Sequence, residues 1–599
     1  MREYAAPLRD MQFVLRELAP IDEVARLPGC GDVNLEVADA ILKEAGKLAA
    51  GVLSPLNVVG DREGARLNDD GEVTTAKGWR DAYKQFIDGG WNALSCDPEW
   101  GGQGVPRLVS ALVEEMWNGA NVSFALCPML TRGAIEALEL KGSEALKKAY
   151  LPKLVSGEWT GTMVLTEPQA GSDLSAVRTR AVPQKDGTYR LEGQKIFITY
   201  GEHDLTDNVV HLVLARTPDA PEGVKGISLF LVPKFLPNAD GSPGARNDVR
   251  CVSLEHKLGI HASPTAVLAF GDREGAVGWV VGEENRGLEY MFITMNAARF
   301  SVGLEGVGLA ERAYQLAAAY AHERLQGTEL GTRSKEKVAI VRHPDVRRML
   351  MLMRSRTEAA RAIAAVVAAA MDTARRHPDA GERARSQSFV DLMIPIVKAW
   401  STDNAVDIAS LGIQVHGGMG FIEETGAAQL FRDARITPIY EGTNGIQAAD
   451  LVGRKVARDG GEAIRRVIAE IRDVAARLGG ERSEALEAIA ARLREGVAAL
   501  EQAVQFVVAT YGADVRRASV GAVPFLDLFG TVAGGWQSAR AALAAHRRLA
   551  EGVPDAGFYR AKLATARFYA DHVLTRAPGL ARTVVSGADG ALEIEDDRL

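Results

Sequence analysis

The chain has 599 residues, of which 47% are hydrophobic and 25% charged, and its formal net charge is −8. This composition is typical of a globular protein with several domains, and it lacks the long basic runs that nucleic-acid binding requires. Four widely spaced cysteines predict neither a metal site nor a disulfide framework, which favours a reducing cytoplasm. The sequence shows neither the apolar core of a signal peptide nor a run long enough for a membrane span, so we expect a cytoplasmic protein.

Apolar residues recur with a helical period through the first part of the chain. Residues 1–34 are expected to form a short extension, and residues 35–160 are expected to form an N-terminal α domain. The helical stretches predicted in that domain are 35–53, 79–91, 108–117, 133–140 and 144–154, and residues 60–77 are predicted to be a loop.

From about residue 161 the pattern changes to short segments rich in Val, Ile, Phe and Thr, separated by Gly, Asp and Pro. Segments of this kind are typical of strands, and they predict a middle β domain over residues 161–285. The predicted strands are 162–166, 189–199, 209–216, 226–232, 267–270 and 278–281.

Helical periodicity returns at residue 288 and continues with few breaks. The stretches 288–324, 345–376, 386–415 and 424–435 predict a C-terminal α bundle over residues 286–455. Further stretches at 461–478, 483–511, 526–549 and 558–574 predict an additional helical domain over residues 456–599, whose apolar stripes indicate core or interface. We therefore expect a mostly α protein with a central β domain.

A loop near the end of the predicted bundle carries residues suited to proton transfer. Pro438 ends the helical stretch before it, because proline has no backbone N–H, and Tyr440, Glu441 and Gly442 follow. A carboxylate between an aromatic ring and a glycine has a raised pKa if its surroundings are apolar, and this makes it a better base. The alternative interpretation is a solvated loop glutamate.

The sequence around this loop resembles the acyl-CoA dehydrogenase family. Residues 432–447, reading RDARITPIYEGTNGIQ, are similar to the family's catalytic-base loop, and residues 414–420, QVHGGMG, are similar to its Q-x-x-G-G-x-G segment near the flavin's adenosine half. The resemblance implies that Glu441 removes the pro-R proton from the α-carbon of an acyl-CoA. It also assigns four residues of these segments to the FAD site, namely Gln414, Gly417, Gly418 and Thr443.

Two segments of the predicted β domain resemble the family's flavin-binding motifs. Residues 166–173, TEPQAGSD, are similar to the flavin signature, whose glycine and turn amides can approach a pyrophosphate closely. Residues 193–199, GQKIFIT, are similar to the pattern G-x-K-x-[WF]-I-[TS]. The alternatives are a strand-end turn and a plain core strand. The FAD-binding residues implied here are Met163, Thr166, Gly171, Ser172, Phe197, Ile198 and Thr199.

The predicted helix at 288–324 contains the sequence NAAR at 296–299. The resemblance implies that Arg299 lies near the catalytic carboxylate on the CoA side, where it would lower the carboxylate's pKa; the alternative is a salt bridge at a helix surface. Some family members carry the base at the position of Ala298, and since alanine cannot accept a proton, the base must be Glu441. The residues assigned to acyl-CoA binding are Ser172, Asn296, Arg299, Tyr440 and Gly442.

Residues 320–327, YAHERLQG, are similar to a family segment whose arginine reaches the FAD pyrophosphate of the neighbouring subunit. The resemblance thus assigns Arg324 to FAD and implies a homodimer or homotetramer, although a surface arginine at a helix end is the alternative. It further implies a trans-2-enoyl-CoA product, an electron-transferring flavoprotein as electron acceptor, and no metal. An acyl-CoA oxidase that uses O2 and a non-catalytic flavin- or acyl-CoA-binding paralogue remain open as alternatives.

The resemblance also implies the family fold, which consists of an α domain, a β-barrel-like domain and a four-helix bundle. The N-terminal extension and the additional C-terminal helical domain resemble a bacterial subgroup that includes 3-methylthiopropanoyl-CoA dehydrogenases.

Overall fold

The computed structural model describes residues 3–599, except for the side chains of Ile293 and Thr294. The first two residues of the predicted extension therefore lie outside the described part. The chain forms two compact units. The helical unit consists of the residues up to Lys43, Pro106–Glu115 and Val302–Leu599, and the sheet unit consists of Glu44–Val105 and Met116–Ser301.

The secondary structure confirms the predicted mostly α fold with a central β domain. The helices are α1 Leu8–Phe13, α2 Ile21–Val24, α3 Leu35–Leu48, α4 Ser54–Glu63, α5 Trp79–Asp88, α6 Arg107–Lys141, α7 Glu144–Ser156, α8 Gly287–Glu323, α9 Pro344–Arg376, α10 Ala380–Pro395, α11 Ser401–His416, α12 Ala427–Ala434, α13 Asn444–Asp450, α14 Glu462–Gly479, α15 Glu484–Thr510, α16 Val515–Val520, α17 Ala522–Ala550, α18 Ala556–His572, α19 Ala577–Ser586 and α20 Ala588–Leu592. The strands are β1 Arg66–Leu67, β2 Val73–Thr74, β3 Trp159–Val164, β4 Arg180–Pro183, β5 Tyr189–Thr199, β6 Asn208–Ala215, β7 Ser228–Pro233, β8 Phe235–Pro237, β9 Pro243–Arg246, β10 Val249–Leu254, β11 Thr265–Phe270 and β12 Ala276–Val280.

The sheet unit is built around an eight-stranded sheet in the order β10-β11-β5-β12-β7-β6-β3, with β4 paired to β5. Strands β3 and β6 are parallel, and the other pairs are antiparallel. Every residue of β3, β6, β7 and β11 is buried, as expected for strands that read as nearly continuous apolar runs. The core of this unit includes Val164, Leu191, Val213, Phe230 and Leu268.

The bundle of the helical unit contains α9, α10, α11 and the part of α8 from Val302 onward. The single helix predicted at 386–415 is in fact α10 and α11 joined by a π-helical turn, Ile396–Trp400. A Cβ atom at Gly303 would lie 2.5 Å from Val397, and one at Gly306 would lie 2.7 Å from the backbone carbon of Ser401. The two glycines therefore allow α8 to pack directly against this turn.

The C-terminal helices pack on the bundle as part of the same unit. Gly530 of α17 faces Trp400, since a Cβ atom at residue 530 would lie 2.4 Å from the indole ring. The predicted N-terminal extension contains residues that are buried in this unit, among them Met11, Phe13 and Leu15.

The predicted stretches 108–117 and 133–140 lie on the two helical segments of α6, which meet at a kink where Asn121 has extended backbone (φ −162°, ψ 90°). One local prediction in the N-terminal domain differs from the structure. The predicted loop 60–77 contains the end of α4 and the short pair β1–β2. The domain boundaries derived from the sequence stay predictions.

Candidate active site

The loop between α12 and α13 holds Glu441 in an unusual backbone conformation. Glu441 has φ +56° and Gly442 has φ +82°, so two consecutive residues are left-handed. For a residue with a Cβ atom this conformation costs on the order of 1–3 kcal/mol, and it persists only where the surroundings impose it. The Glu441 side chain is half-buried, and Thr443 caps α13 by accepting a hydrogen bond from the N–H of Ile446.

Hydrogen bonds from the π-helical turn hold the loop after Glu441. Lys398 is fully buried, and its Nζ donates to the carbonyl oxygen of Gly442 at 3.0 Å and to Oδ1 of Asn444 at 2.8 Å. Asn444 in turn donates to the carbonyl oxygen of Ala399 and to Oδ1 of Asp403. The position of the loop therefore depends on residues of the bundle that are more than forty positions away.

A second buried residue holds the loop before Glu441. The hydroxyl of Tyr440 donates a hydrogen bond to Oε2 of Glu305 on α8. The sequence analysis missed both Glu305 and Lys398. Their only signal is a single charged residue inside an apolar helical run, VGLEGVGL at 302–309 and IVKAW at 396–400.

In the sheet unit, the turn after β3 is organised around the buried carboxylate of Glu167. It accepts hydrogen bonds from the backbone N–H groups of Arg178 and Thr179 and from the Thr179 hydroxyl, and it pairs with Lys195 at 2.9 Å. Burial opposes the charge of Glu167, but Lys195 and these hydrogen bonds outweigh it and lower the pKa to about 2. Burial lowers the pKa of Lys195 to about 8.

The segment of β5 that contains Phe197 lies beside this turn. The N–H of Ile196 donates to the carbonyl oxygen of Thr166 at 2.9 Å, and a β-bulge in the pairing with β11 falls between Lys195 and Ile198. Phe197 has φ +60° and is 57% exposed, whereas Ile198 is buried and Thr199 is half-buried. The alternative of a plain core strand is wrong for Phe197, because its ring projects from the fold.

The residues present in the sheet unit fit a flavin. The structure combines the exposed ring of Phe197 with a turn whose Gly171, Ser172 and Asp173 are exposed. A Cβ atom at Gly171 would meet no other atom within 4 Å. This leaves the backbone N–H groups of the turn accessible to an anionic group. Met163, by contrast, is buried within β3.

Of the residues assigned to acyl-CoA binding, Asn296 and Arg299 lie one turn apart on α8. Arg299 is buried, and its Nη1 lies 3.4 Å from Oδ1 of Asn296 as a hydrogen-bond donor. Its role toward the catalytic carboxylate stays a prediction. Ala298 is buried as well and offers no group that could accept a proton.

The segments assigned to the distal part of FAD lie near one another in the helical unit. Arg324 directly follows α8 and is exposed, and Gln414, Gly417 and Gly418 are exposed at the end of α11. The ring of Tyr320 on α8 stacks on His416 of α11 with centroids 4.4 Å apart. The structure thus brings together two segments that are about ninety residues apart in the sequence.

Within the described part of the chain, no group of three or more His, Cys, Asp or Glu side chains is arranged to hold a metal ion. Among the described helices, none is both long and apolar enough to cross a membrane. All four cysteines are buried free thiols.

Comparison with known proteins identifies four consecutive domains. Residues 61–158, 162–272 and 285–456 match the acyl-CoA dehydrogenase N-terminal, middle and C-terminal domains, and residues 467–595 match the domain described as acetyl-CoA dehydrogenase C-terminal like. The last match accounts for the additional helical domain.

Similar proteins extend over nearly the whole chain. The chain is 50% identical to 3-methylmercaptopropionyl-CoA dehydrogenase of Ruegeria pomeroyi over 98% of this chain and 99% of that protein. It is 34% identical to a butyryl-CoA dehydrogenase of Syntrophomonas wolfei over 99% of both chains. The crystal structure of an acyl-CoA dehydrogenase from Bacillus anthracis has a TM-score of 0.75 at 22% identity, covering 96% of this chain and 92% of that one, and shows the shared fold. With these domains in this order and relatives matched over their full length, the chain belongs to the acyl-CoA dehydrogenase family.

Proposed function

We propose that the protein catalyses the FAD-dependent α,β-dehydrogenation of an acyl-CoA thioester to a trans-2-enoyl-CoA. Glu441 is the base that removes the α-proton. The observation that carries this assignment is the strained, left-handed backbone of Glu441, which Lys398 and Tyr440 support from both sides. A solvated loop glutamate has no need of such support, whereas a base must be held in one position relative to the carbon that it deprotonates.

The residues of the sheet unit bind the cofactor in this proposal. FAD, when bound, supplies the acceptor for the hydride from the β-carbon. Phe197, Ile198 and Thr199 contact it from β5, and the exposed turn at Gly171 and Ser172 holds its phosphates through backbone and hydroxyl groups. Met163 and Thr166 complete this part of the site from β3 and its end.

The residues of the helical unit bind the distal part of FAD across a subunit boundary. Arg324, Gln414, Gly417 and Gly418 are exposed, as residues must be if they reach the cofactor of a neighbouring subunit. The active form in this proposal is a cytoplasmic homodimer or homotetramer that passes its electrons to an electron-transferring flavoprotein. Thr443 fixes the end of the Glu441 loop by capping α13.

The acyl-CoA binds against Ser172, Asn296, Arg299, Tyr440 and Gly442. The names of the relatives indicate which thioesters to test first, namely 3-methylmercaptopropionyl-CoA and butyryl-CoA. An oxidase would reoxidise its flavin rapidly under air and release peroxide, and a non-catalytic paralogue would turn over no thioester of the panel.

The replacement Glu441→Gln tests the assignment of the base. Glutamine has nearly the same volume and retains hydrogen bonding, so folding and the binding of FAD and acyl-CoA should survive. Since the amide cannot accept the α-proton, anaerobic flavin bleaching by the acyl-CoA should slow by ~10⁴-fold or more, at or beyond the top of the range typical of general bases. The matched control is Glu424→Gln, which changes an exposed glutamate before α12 and should bleach like the wild type.

Bleaching of the Glu441→Gln flavin within about tenfold of the wild-type rate would correspond to only ~1.4 kcal/mol of barrier and would refute the assignment. Failure of the wild-type flavin to bleach with every thioester tested would refute the proposed reaction itself.

A further inference from the structure

Glu305 occupies a sealed position in the middle of α8. It is 0% exposed, and it lies between Gly303 and Gly306, the two glycines that bring α8 against the π-helical turn Ile396–Trp400. A carboxyl group in such a position has lost its contact with water, so its protonation and its partners are determined by the few groups that face it.

Four polar groups face Glu305 from the surrounding elements. The Tyr440 hydroxyl donates to Oε2, while Oε1 accepts no hydrogen bond from any residue that the structure describes. Glu114 of α6, Lys398 of the π-helical turn and Glu441 of the loop contribute their charges. Burial raises the pKa of Glu305 to about 8 and outweighs the hydrogen bond from Tyr440 and the charge of Lys398, which both lower it; the charges of Glu114 and Glu441 add to the rise.

We propose that Glu305 is a positioning residue for the base: through its hydrogen bond to Tyr440 it holds the backbone of Glu441 in the left-handed conformation. This proposal rests on the proposed function of Glu441. Glu305 fixes the residue before the base, and Lys398 fixes the residue after it through the Gly442 carbonyl group. With both neighbours fixed, the peptide groups on either side of Glu441 cannot rotate to relieve its positive φ.

At neutral pH Glu305 is an uncharged acid, so it adds no negative charge near the Glu441 loop. An ionised Glu305 would add a second negative charge facing Glu441. The two carboxyl groups influence each other reciprocally, so ionisation of Glu305 would strengthen Glu441 as a base. The rate of proton removal should therefore respond to the protonation of a residue that never touches the substrate.

The first experiment compares Glu305→Leu, Tyr440→Phe and the double variant in anaerobic flavin reduction by the preferred thioester. Each single variant should slow reduction about tenfold or more, because loss of position by about 1 Å is sufficient for a loss of that order. The double variant should be no more than about twofold slower than the slower single variant, since both changes break the same hydrogen bond. Tyr569→Phe, which removes a buried hydroxyl that donates to Thr531, is the matched control and should keep the wild-type rate.

Thermal midpoints measured on the same proteins separate positioning from simple stabilisation. Replacing both partners of a buried hydrogen bond by apolar groups is nearly neutral for stability, so the double variant should melt close to the wild type. If Glu305 had only a structural role, the double variant would regain the wild-type rate of flavin reduction together with the wild-type midpoint. That recovery would overturn the proposal, as would a double variant whose loss of rate equals the product of the two single losses.

The second experiment uses Glu305→Gln, whose amide oxygen can accept the Tyr440 hydrogen bond but cannot ionise. Its reduction rate should recover to within about threefold of the wild-type rate at pH 6.5. Between pH 7 and pH 9 the ratio of the wild-type rate to the Glu305→Gln rate should rise about threefold, because the charge of an ionised Glu305 makes Glu441 a stronger base and glutamine cannot ionise. Lys195 titrates in the same range but does so in both proteins, so the ratio isolates Glu305.

A ratio that stays flat from pH 7 to pH 9 would overturn the proposal, as would a Glu305→Gln variant as slow as Glu305→Leu. In either case the wild-type flavin would still be reduced, and the proposed reaction would stand. Only the failure of every thioester to reduce the wild-type flavin would overturn both the positioning role of Glu305 and the proposed reaction.

Discussion

Replacing Arg361 in the helical unit should destabilise the protein by an amount that depends strongly on pH. It lies on α9 and is fully buried among three carboxylates. Its Nη1 donates to Asp10 at 2.6 Å, and its Nη2 donates to Glu115 at 2.6 Å and to Glu311 at 2.7 Å. Lys562 of α18 also pairs with Asp10. The cluster therefore connects helices from both ends of the chain with the bundle.

The magnitude follows from the carboxyl groups that Arg361→Met would leave behind. Removing one partner from a buried ion pair costs roughly 3–5 kcal/mol. Burial raises the pKa of Glu115 to about 7 even with Arg361 present, so the folded state prefers a protonated Glu115. The stabilisation that comes with this proton is complete below pH 4.5 and is lost as the pH rises through about 7. Without Arg361 the pKa of Glu115 rises further, and the negative charges that remain destabilise the folded state more strongly.

Asp10 behaves in the opposite sense but outside the pH range of the experiment. Burial opposes its charge, yet Lys562 and Arg361 lower its pKa to about 2. Its contribution of roughly 2 kcal/mol is present above pH 3.8 and is lost only as the pH falls through about 2. Between pH 5.5 and pH 8, the change in the effect of Arg361→Met should therefore reflect Glu115.

Thermal unfolding at pH 5.5 and pH 8 measures the effect. Arg361→Met should lower the midpoint by roughly 2–4 °C at pH 8 and by about half as much at pH 5.5, because the large unfolding entropy of a long chain makes each kcal/mol a small temperature shift. Adding Glu115→Gln should recover part of the loss at pH 8, and Arg492→Met, which removes an exposed ion pair with Glu495, should leave the midpoint unchanged. Equal losses at both pH values would refute the argument, because they would indicate lost packing of the long side chain instead of uncompensated charge.

Two further predictions concern close packing and the flavin turn. Gly530→Ala should destabilise the protein by about 1–3 kcal/mol in denaturant unfolding, because the new methyl group overlaps Trp400, whereas Gly557→Ala, with open space around it, should not. Lys195→Met should weaken FAD binding in titrations of the apoprotein and cause FAD release at a higher pH on acidification, since Lys195 helps to keep the pKa of Glu167 near 2 against its burial; unchanged release would contradict this role.

The elements that the sequence predicted well are those whose pattern is local. The stretch 345–376 shows an uninterrupted helical period and corresponds to α9, Pro344–Arg376. The stretch 189–199 is rich in β-forming residues and coincides with β5. In contrast, β4 and the short strands β8 and β9 were not predicted, because their few residues include prolines and exposed charges that occur equally in loops.

The features that the sequence did not predict depend on partners far along the chain. The pairing of Asp10 with Lys562 joins residues 552 positions apart, so residues 1–34 read as an extension although Asp10 is buried in the helical unit. The π-helical turn at Ile396–Trp400 adds one residue to a helix without changing its apolar character, and periodicity cannot detect this. That added residue belongs to the turn that carries Lys398, which holds the active-site loop.

The conformation of the Glu441 loop depends both on its own sequence motif and on distant residues of the bundle. The motif places a carboxylate between Tyr440 and Gly442, but the left-handed conformation of Glu441 is unfavourable for the loop alone. Lys398 and Glu305, which lie on other elements of the bundle, supply the hydrogen bonds that offset this cost. Because neither residue is in the motif, the motif points to Glu441 as the proposed base, while the bundle decides whether its carboxylate is held in one position. A change in the packing of the bundle can therefore alter the reaction without altering any residue of the loop.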